Sequence, residues 1–62
     1  LDTSRLLEIQ KSEENIPVYF NNHIVWINHI NTKQEIAKII DLDILETYVV
    51  PIRKLSEGNN IL

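Results

Sequence analysis

Apolar and polar positions follow different rhythms along this chain. Near the start, Leu6 and Ile9 sit three apart, the spacing of one helix face. Asp2, Thr3 and Ser4 precede them, and each can accept a hydrogen bond from a free backbone N–H as an N-cap. Glu8 lies early and Lys11 late, as the helix dipole prefers. The pattern predicts a helix over about residues 3–11. It is too short to stand alone and must dock on something. Ser12 to Asn15 reads as a polar connector.

From Ile16 the period becomes two. Ile16, Val18 and Phe20 alternate with Pro17 and Tyr19. Asn21-Asn22 follows, then a β-rich run from His23 to Ile30. Asparagine tolerates positive φ, so the pair suits a tight type I′ hairpin turn. That turn sets the register: Phe20 opposite His23, Tyr19 opposite Ile24, Val18 opposite Val25, Pro17 opposite Trp26 and Ile16 opposite Ile27. Ile16, Val18, Phe20, Val25 and Ile27 then form a core face. Tyr19, Ile24 and Trp26 form a second, largely apolar face. Pro17 lacks an N–H, so its strand is expected to be an edge there.

The middle of the chain has two readings. Thr32 followed three residues later by Glu35 is a capping-box pattern, and Ile36, Ile39, Ile40 and Ile44 fit a helical face over 33–45. The rival is a strand over 35–42, favoured by its β-branched isoleucines. Thr47 to Ile52 reads as a strand with Tyr48, Val50 and Ile52 on one face, and Leu55 as a last core anchor. Residues 56–62 read as a frayed tail. The expected architecture is α+β: one single domain over 1–62, with a short N-terminal helix and an antiparallel β-meander of about four strands over about 16–55, curled like a small barrel.

Composition narrows the function. At 62 residues there is room for one small core and little for a deep catalytic pocket. Nine acidic residues against six basic ones give a formal charge of −3, and the cations are scattered. Nucleic acid is therefore not an expected partner. Without cysteine there is neither a disulfide framework nor a thiolate metal site, which points to an intracellular setting. The longest apolar run is the four residues Ile24 to Ile27, too short for a transmembrane helix or a signal-peptide core. Isoleucine occurs 11 times and asparagine 7 times, a bias that suggests AT-rich coding.

Asp2, Arg5, Glu8-Ile9 and Ser12 are placed as in the opening helix of the type-H small acid-soluble spore proteins. Ile16-x-Val18-x-Phe20-Asn21, then Val25-Trp26-Ile27, resembles that family's central hairpin. Ala37-x-Ile39 and Val50-Pro51-Ile52-x-x-Leu55 resemble its later strands. Asn22 and Ile24 stand where the family has Gly and Pro, and residues 41–46 lack the Gly or Pro of its later turn. Leu1 stands where the family's initiating Met is expected, and a start codon that otherwise encodes leucine would explain it. The resemblance favours a strand over 35–42. It implies a protein made in the forespore during sporulation and kept in the forespore cytoplasm and spore core, with no established activity. Glu35-Ile36-Ala37 matches part of a cleavage motif of the DNA-coating spore proteins, but its surroundings do not follow.

No constellation of catalytic residues is visible. His23 and His29 fall on one face of a regular strand but six residues apart, too far to share a metal. Asp41-x-Asp43 reads as a solvated turn, short of the oxygens a calcium loop needs. The three serines upstream of Gly58 have no acid–histidine partners. No small-molecule substrate, cofactor or metal is expected. The candidate surface is Tyr19, Ile24 and Trp26. Packing beneath the N-terminal helix is its first reading, a homodimer or spore-protein interface its second, and a base-stacking platform its third. The expected function is that of a non-enzymatic minor spore-core protein of unknown molecular role. The alternatives are a nucleic-acid-binding small barrel protecting spore DNA or RNA, and a structural module binding a spore protein.

Overall fold

The computed structural model describes residues 1–58. A helix, α1 (Thr3–Lys11), is followed by β1 (Val18–Phe20), β2 (His23–Asn31), β3 (Ile36–Asp41) and β4 (Glu46–Pro51). A single 3-10 turn, Ile52–Lys54, leads to β5 (Ser56–Glu57). The N-cap of α1 is Asp2, whose carboxylate accepts from the Arg5 N–H at 2.8 Å. Ser12 ends the helix in extended backbone, its N–H donating to the Ile9 carbonyl.

All five strands form one antiparallel sheet in the order β4-β3-β2-β1-β5. The hairpin register is Val18 with Val25, Tyr19 with Ile24 and Phe20 with His23. Asn21 and Asn22 supply the turn at φ 50° and 66°, the two left-handed residues a type I′ turn requires. Pairing stops at Val18, so Pro17 and Ile16 have no ladder partners in β2. Pro17 lies just outside the strand, and its carbonyl accepts the Gly58 N–H at 2.8 Å.

Two features of the expected architecture are corrected. Among the described residues the sheet has five strands and is open: β4 and β5 are its edges and do not meet. Closure needs long, tilted, staggered strands. Here β1 has three residues and β5 two, and α1 covers the inner face that a curled sheet would otherwise cover itself. Residues Ser56 and Glu57 are also not a frayed end, since they pair with Tyr19 and Val18. The remainder of the expected tail, 59–62, lies outside the described residues.

The ambiguous middle is a strand. Ile36–Asp41 pairs with β2 on one side and β4 on the other, so its isoleucines are held by two ladders. Thr32–Glu35 is a tight turn instead of a helix start. Asn31 Oδ1 accepts from the Gln34 N–H at 3.0 Å, and Glu35 ends the turn at φ 56°. The next connection, Leu42–Leu45, ends the same way, with Leu45 at φ 57° and its N–H donating to the Asp41 carbonyl at 2.7 Å. Neither turn contains glycine, so non-glycine residues carry the left-handed backbone.

The core lies between α1 and the inner face of the sheet. Leu6 and Ile9 from the helix meet Val18, Val25, Ala37, Ile39 and Val50 from the strands, closed by Ile52 and Leu55. Ile16, Phe20, Ile27, Ile30 and Tyr48 pack around this cluster, partly buried. Burial of about nine apolar side chains, at roughly 1.5–3 kcal/mol each for the larger ones, is the main force holding the two layers together.

Candidate functional site

Two regions carry chemistry that the core does not explain. The first lies at the end of the sheet where the β1–β2 and β3–β4 turns come together. Asp41 pairs with Val25 in the ladder. Its side chain therefore points inward beside that of His23, two residues away on β2. Asp41 is 1% exposed. It accepts from His23 Nδ1–H at 2.7 Å and the Tyr48 hydroxyl at 3.3 Å through Oδ2, and from the Asp43 N–H at 2.9 Å through Oδ1. The Phe20 ring packs edge-on to Tyr48 with centroids 5.8 Å apart, closing the inner side.

The electrostatics follow from that geometry. Burial alone would push the Asp41 carboxyl up. The hydrogen bond and charge of His23, with the Asp43 and Ile44 amides, outweigh it and hold the carboxyl below its ordinary range. The same hydrogen bond to Asp41, then its charge, raises the His23 imidazole above its ordinary value, with Asp43 adding to it. Burial, then the Asp41 carboxylate, raises Tyr48. An ionised carboxylate only accepts, so the Nδ1 of His23 carries the proton.

His23, Asp41 and Asp43 offer ligand atoms within 4.8 Å of one another, and would be the ones to hold a cation. Yet both Asp41 oxygens already accept hydrogen bonds, and the nearest His23 nitrogen is a donor. The arrangement acts as a clasp between two hairpin turns. Asp41 is thus buried and fully partnered, not part of a solvated turn. A bulge between Ile27 and His29 shifts the register of β2, so His23 and His29 fall on opposite faces, contrary to their expected placement on one.

The second region is the outer face of the sheet. Trp26 is 65% exposed and Ile24 39%. The expectation that α1 packs over this face is corrected: Leu6 and Ile9 lie on the opposite, inner face. Ile24 and Trp26 share the wall of an open groove of about 730 Å³ with Pro17 and Leu42. Tyr19 is half-buried beside Ile24 but faces a separate polar depression with Asn21, Asn22, Lys54 and Ser56. Tyr19, Ile24 and Trp26 therefore share the outer face, Tyr19 directly across the ladder from Ile24 and Trp26 two residues further along β2.

Ladder positions place Ile40, Lys38, Thr47 and Val49 on this outer face as well, in the cross-strand rows Trp26–Ile40–Thr47 and His29–Lys38–Val49. Sequence reasoning missed both Val49, which is 56% exposed, and the His23–Asp41 pair. The pair was readable only once β2 and β3 were placed in register. Among the described residues, no helix is long and apolar enough to cross a membrane.

Comparison with known proteins gives a consistent setting. The chain matches the small acid-soluble spore protein H family over residues 1–57. It is 34% identical over 61 residues to proteins named small, acid-soluble spore protein H 2 from Clostridium botulinum strains Hall (type A) and Langeland (type F). The match covers 98% of this chain and 97% of each relative. No solved structure matches.

Proposed function

The chain belongs to the small acid-soluble spore protein H family, and we propose that within this setting it acts through protein contacts made by the outer face of its sheet. It is a small, sporulation-associated protein without enzymatic activity, held in the cytoplasm of the forespore and in the spore core. One observation carries the proposal: the exposed Trp26 indole, flanked on the groove wall by Ile24 and Leu42. A tryptophan that contributes little to its own core is the residue type most enriched at interface centres. The strand positions sharing that face include no carboxylate, which lowers the desolvation cost of covering it.

The test is the hydrodynamic size of the protein in spore extracts. Tagged chain and its Trp26→Ser variant are expressed in sporulating cells and fractionated with and without nuclease. The wild-type chain is expected in a nuclease-resistant assembly heavier than two copies, and the variant outside it. A nuclease-sensitive assembly would favour the nucleic-acid alternative. Identical elution of both chains would overturn the outer-face reading.

A further inference from the structure

Among the described residues nothing pairs with the outer edge of β4, and its hydrogen-bonding pattern is self-complementary. In an antiparallel ladder successive residues turn their backbone groups alternately to the two sides. Ile52 N–H donates to the Glu35 carbonyl at 3.0 Å, back toward β3, which puts Tyr48 and Val50 on the β3 side. Thr47 and Val49 therefore present N–H and C=O outward, and Pro51 ends the row because it has no N–H to offer. Edge strands are usually protected by lysine, a bulge, a central proline or extreme shortness. β4 has six residues in unbroken register with β3 and no lysine. The opposite edge, β5, has only two residues.

We propose that two copies of this chain pair antiparallel through β4, around a twofold axis at Tyr48. Thr47 then faces the partner's Val49, and Val49 the partner's Thr47. This register satisfies all four free groups of each strand's central pair. An axis at Val49 would set Thr47 against the partner's Pro51, leaving the Thr47 carbonyl without a donor. An axis at Thr47 would set Val49 against the partner's Leu45, whose N–H is already committed to Asp41 at 2.7 Å. With the axis at Tyr48, Glu46 falls opposite the partner's Val50, so no like charges oppose. Leu45, at 78% exposure the most exposed large hydrophobic residue described, falls opposite the partner's Pro51. The row Trp26–Ile40–Thr47 continues into the partner's Val49–Lys38–His29, and the outer faces join across ten strands. The inference is independent of the spore partner proposed above, because it concerns the purified chain alone.

The experiment is sedimentation equilibrium of the purified chain from micromolar to millimolar concentration, beside Val49→Pro and Trp26→Ser. The wild type and Trp26→Ser are expected to move from monomer to dimer with the same midpoint. Val49→Pro, which deletes an outward N–H and none toward β3, is expected to stay monomeric with an unchanged circular dichroism spectrum. Amide exchange of the wild type supplies a readout that needs no variant: Thr47 and Val49 are expected to gain protection as concentration rises. A wild type that stays monomeric at millimolar concentration, or unchanged protection at those two amides, would overturn the proposal. So would dimerisation that survives Val49→Pro and is lost with Trp26→Ser, since the copies would then be packing face to face.

Discussion

His23 and Asp41 stand 18 residues apart in the chain and are joined by a 2.7 Å hydrogen bond that ties the β1–β2 turn to the β3–β4 turn. The bond sets the pH range in which the fold is firmest. Bonding to Asp41 raises the His23 imidazole, so its contribution is complete below the ordinary value of 6.5 and is lost as pH rises through the higher folded value. Asp41 is held low, so its contribution is present above the ordinary 3.8 and is lost as pH falls through the lower folded value. Thermal midpoints are therefore expected to peak between these limits and fall on both sides. His23→Ala should remove the decline on the alkaline side of 6.5. A midpoint flat from pH 5 to 8 in the wild type would refute the clasp.

A second charged pair fastens the helix near its N-terminus to β5. Arg5 Nε and Nη2 reach the two Glu57 oxygens at 2.7 and 2.8 Å. That hydrogen-bonded fork, then the guanidinium charge, holds Glu57 below its ordinary carboxylate value. Since β5 has only two residues, this pair is expected to account for much of its ordering. Arg5→Ala and Glu57→Ala should each speed exchange of the Gly58 amide, and the double variant should speed it no further than either single change. Additive effects would mean that the pair is not one unit.

Core and surface roles divide cleanly between Ile39 and Trp26. Ile39 is fully buried at the centre of β3, and Ile39→Ala is expected to cost about 2–5 kcal/mol in denaturant unfolding. A domain of this length holds only about 3–9 kcal/mol in total, so that variant should be largely unfolded at 37 °C. Trp26→Ala removes a larger side chain, but one mostly in water, and is expected to stay within about 0.5 kcal/mol of wild type. The wild-type fluorescence maximum should be that of a hydrated indole at micromolar concentration. A blue-shifted spectrum there would place Trp26 in a packed environment.

The hairpin register was readable from the residues because a two-residue Asn-Asn turn between alternating runs leaves one pairing. The inner face followed from that register. Four things were not readable, each for a physical reason. The isoleucines of 36–44 satisfy helical and strand periods alike, and only the two flanking ladders decide between them. The bulge beyond Ile27 leaves no mark in composition, yet it reverses the face of His29. The side of the sheet that α1 covers depends on how the 12–17 connector turns, and both faces of the hairpin are apolar enough to accept it. The Asp41 clasp was hidden because it joins residues 18 apart that meet only after β2 and β3 pair.

Leu45 offers the most economical stabilising change. It ends the β3–β4 turn at φ 57° and is 78% exposed, so its side chain contributes little burial. A residue with a Cβ pays about 1–2 kcal/mol to occupy the left-handed region. Glycine avoids that cost but surrenders about 0.5–1 kcal/mol of chain entropy on folding. The balance favours Leu45→Gly by about 0.5–1 kcal/mol in chemical denaturation of the monomer. Leu45→Asn should fall between the two, since asparagine tolerates this backbone better than leucine. Leu45→Val tests the cause from the other direction, because β-branching makes positive φ still less favourable. The expected order of denaturation midpoints is Gly, Asn, Leu, Val. If the order instead tracks side-chain hydrophobicity, the Leu45 side chain is packed rather than exposed, and the turn geometry assigned to residues 42–45 is wrong.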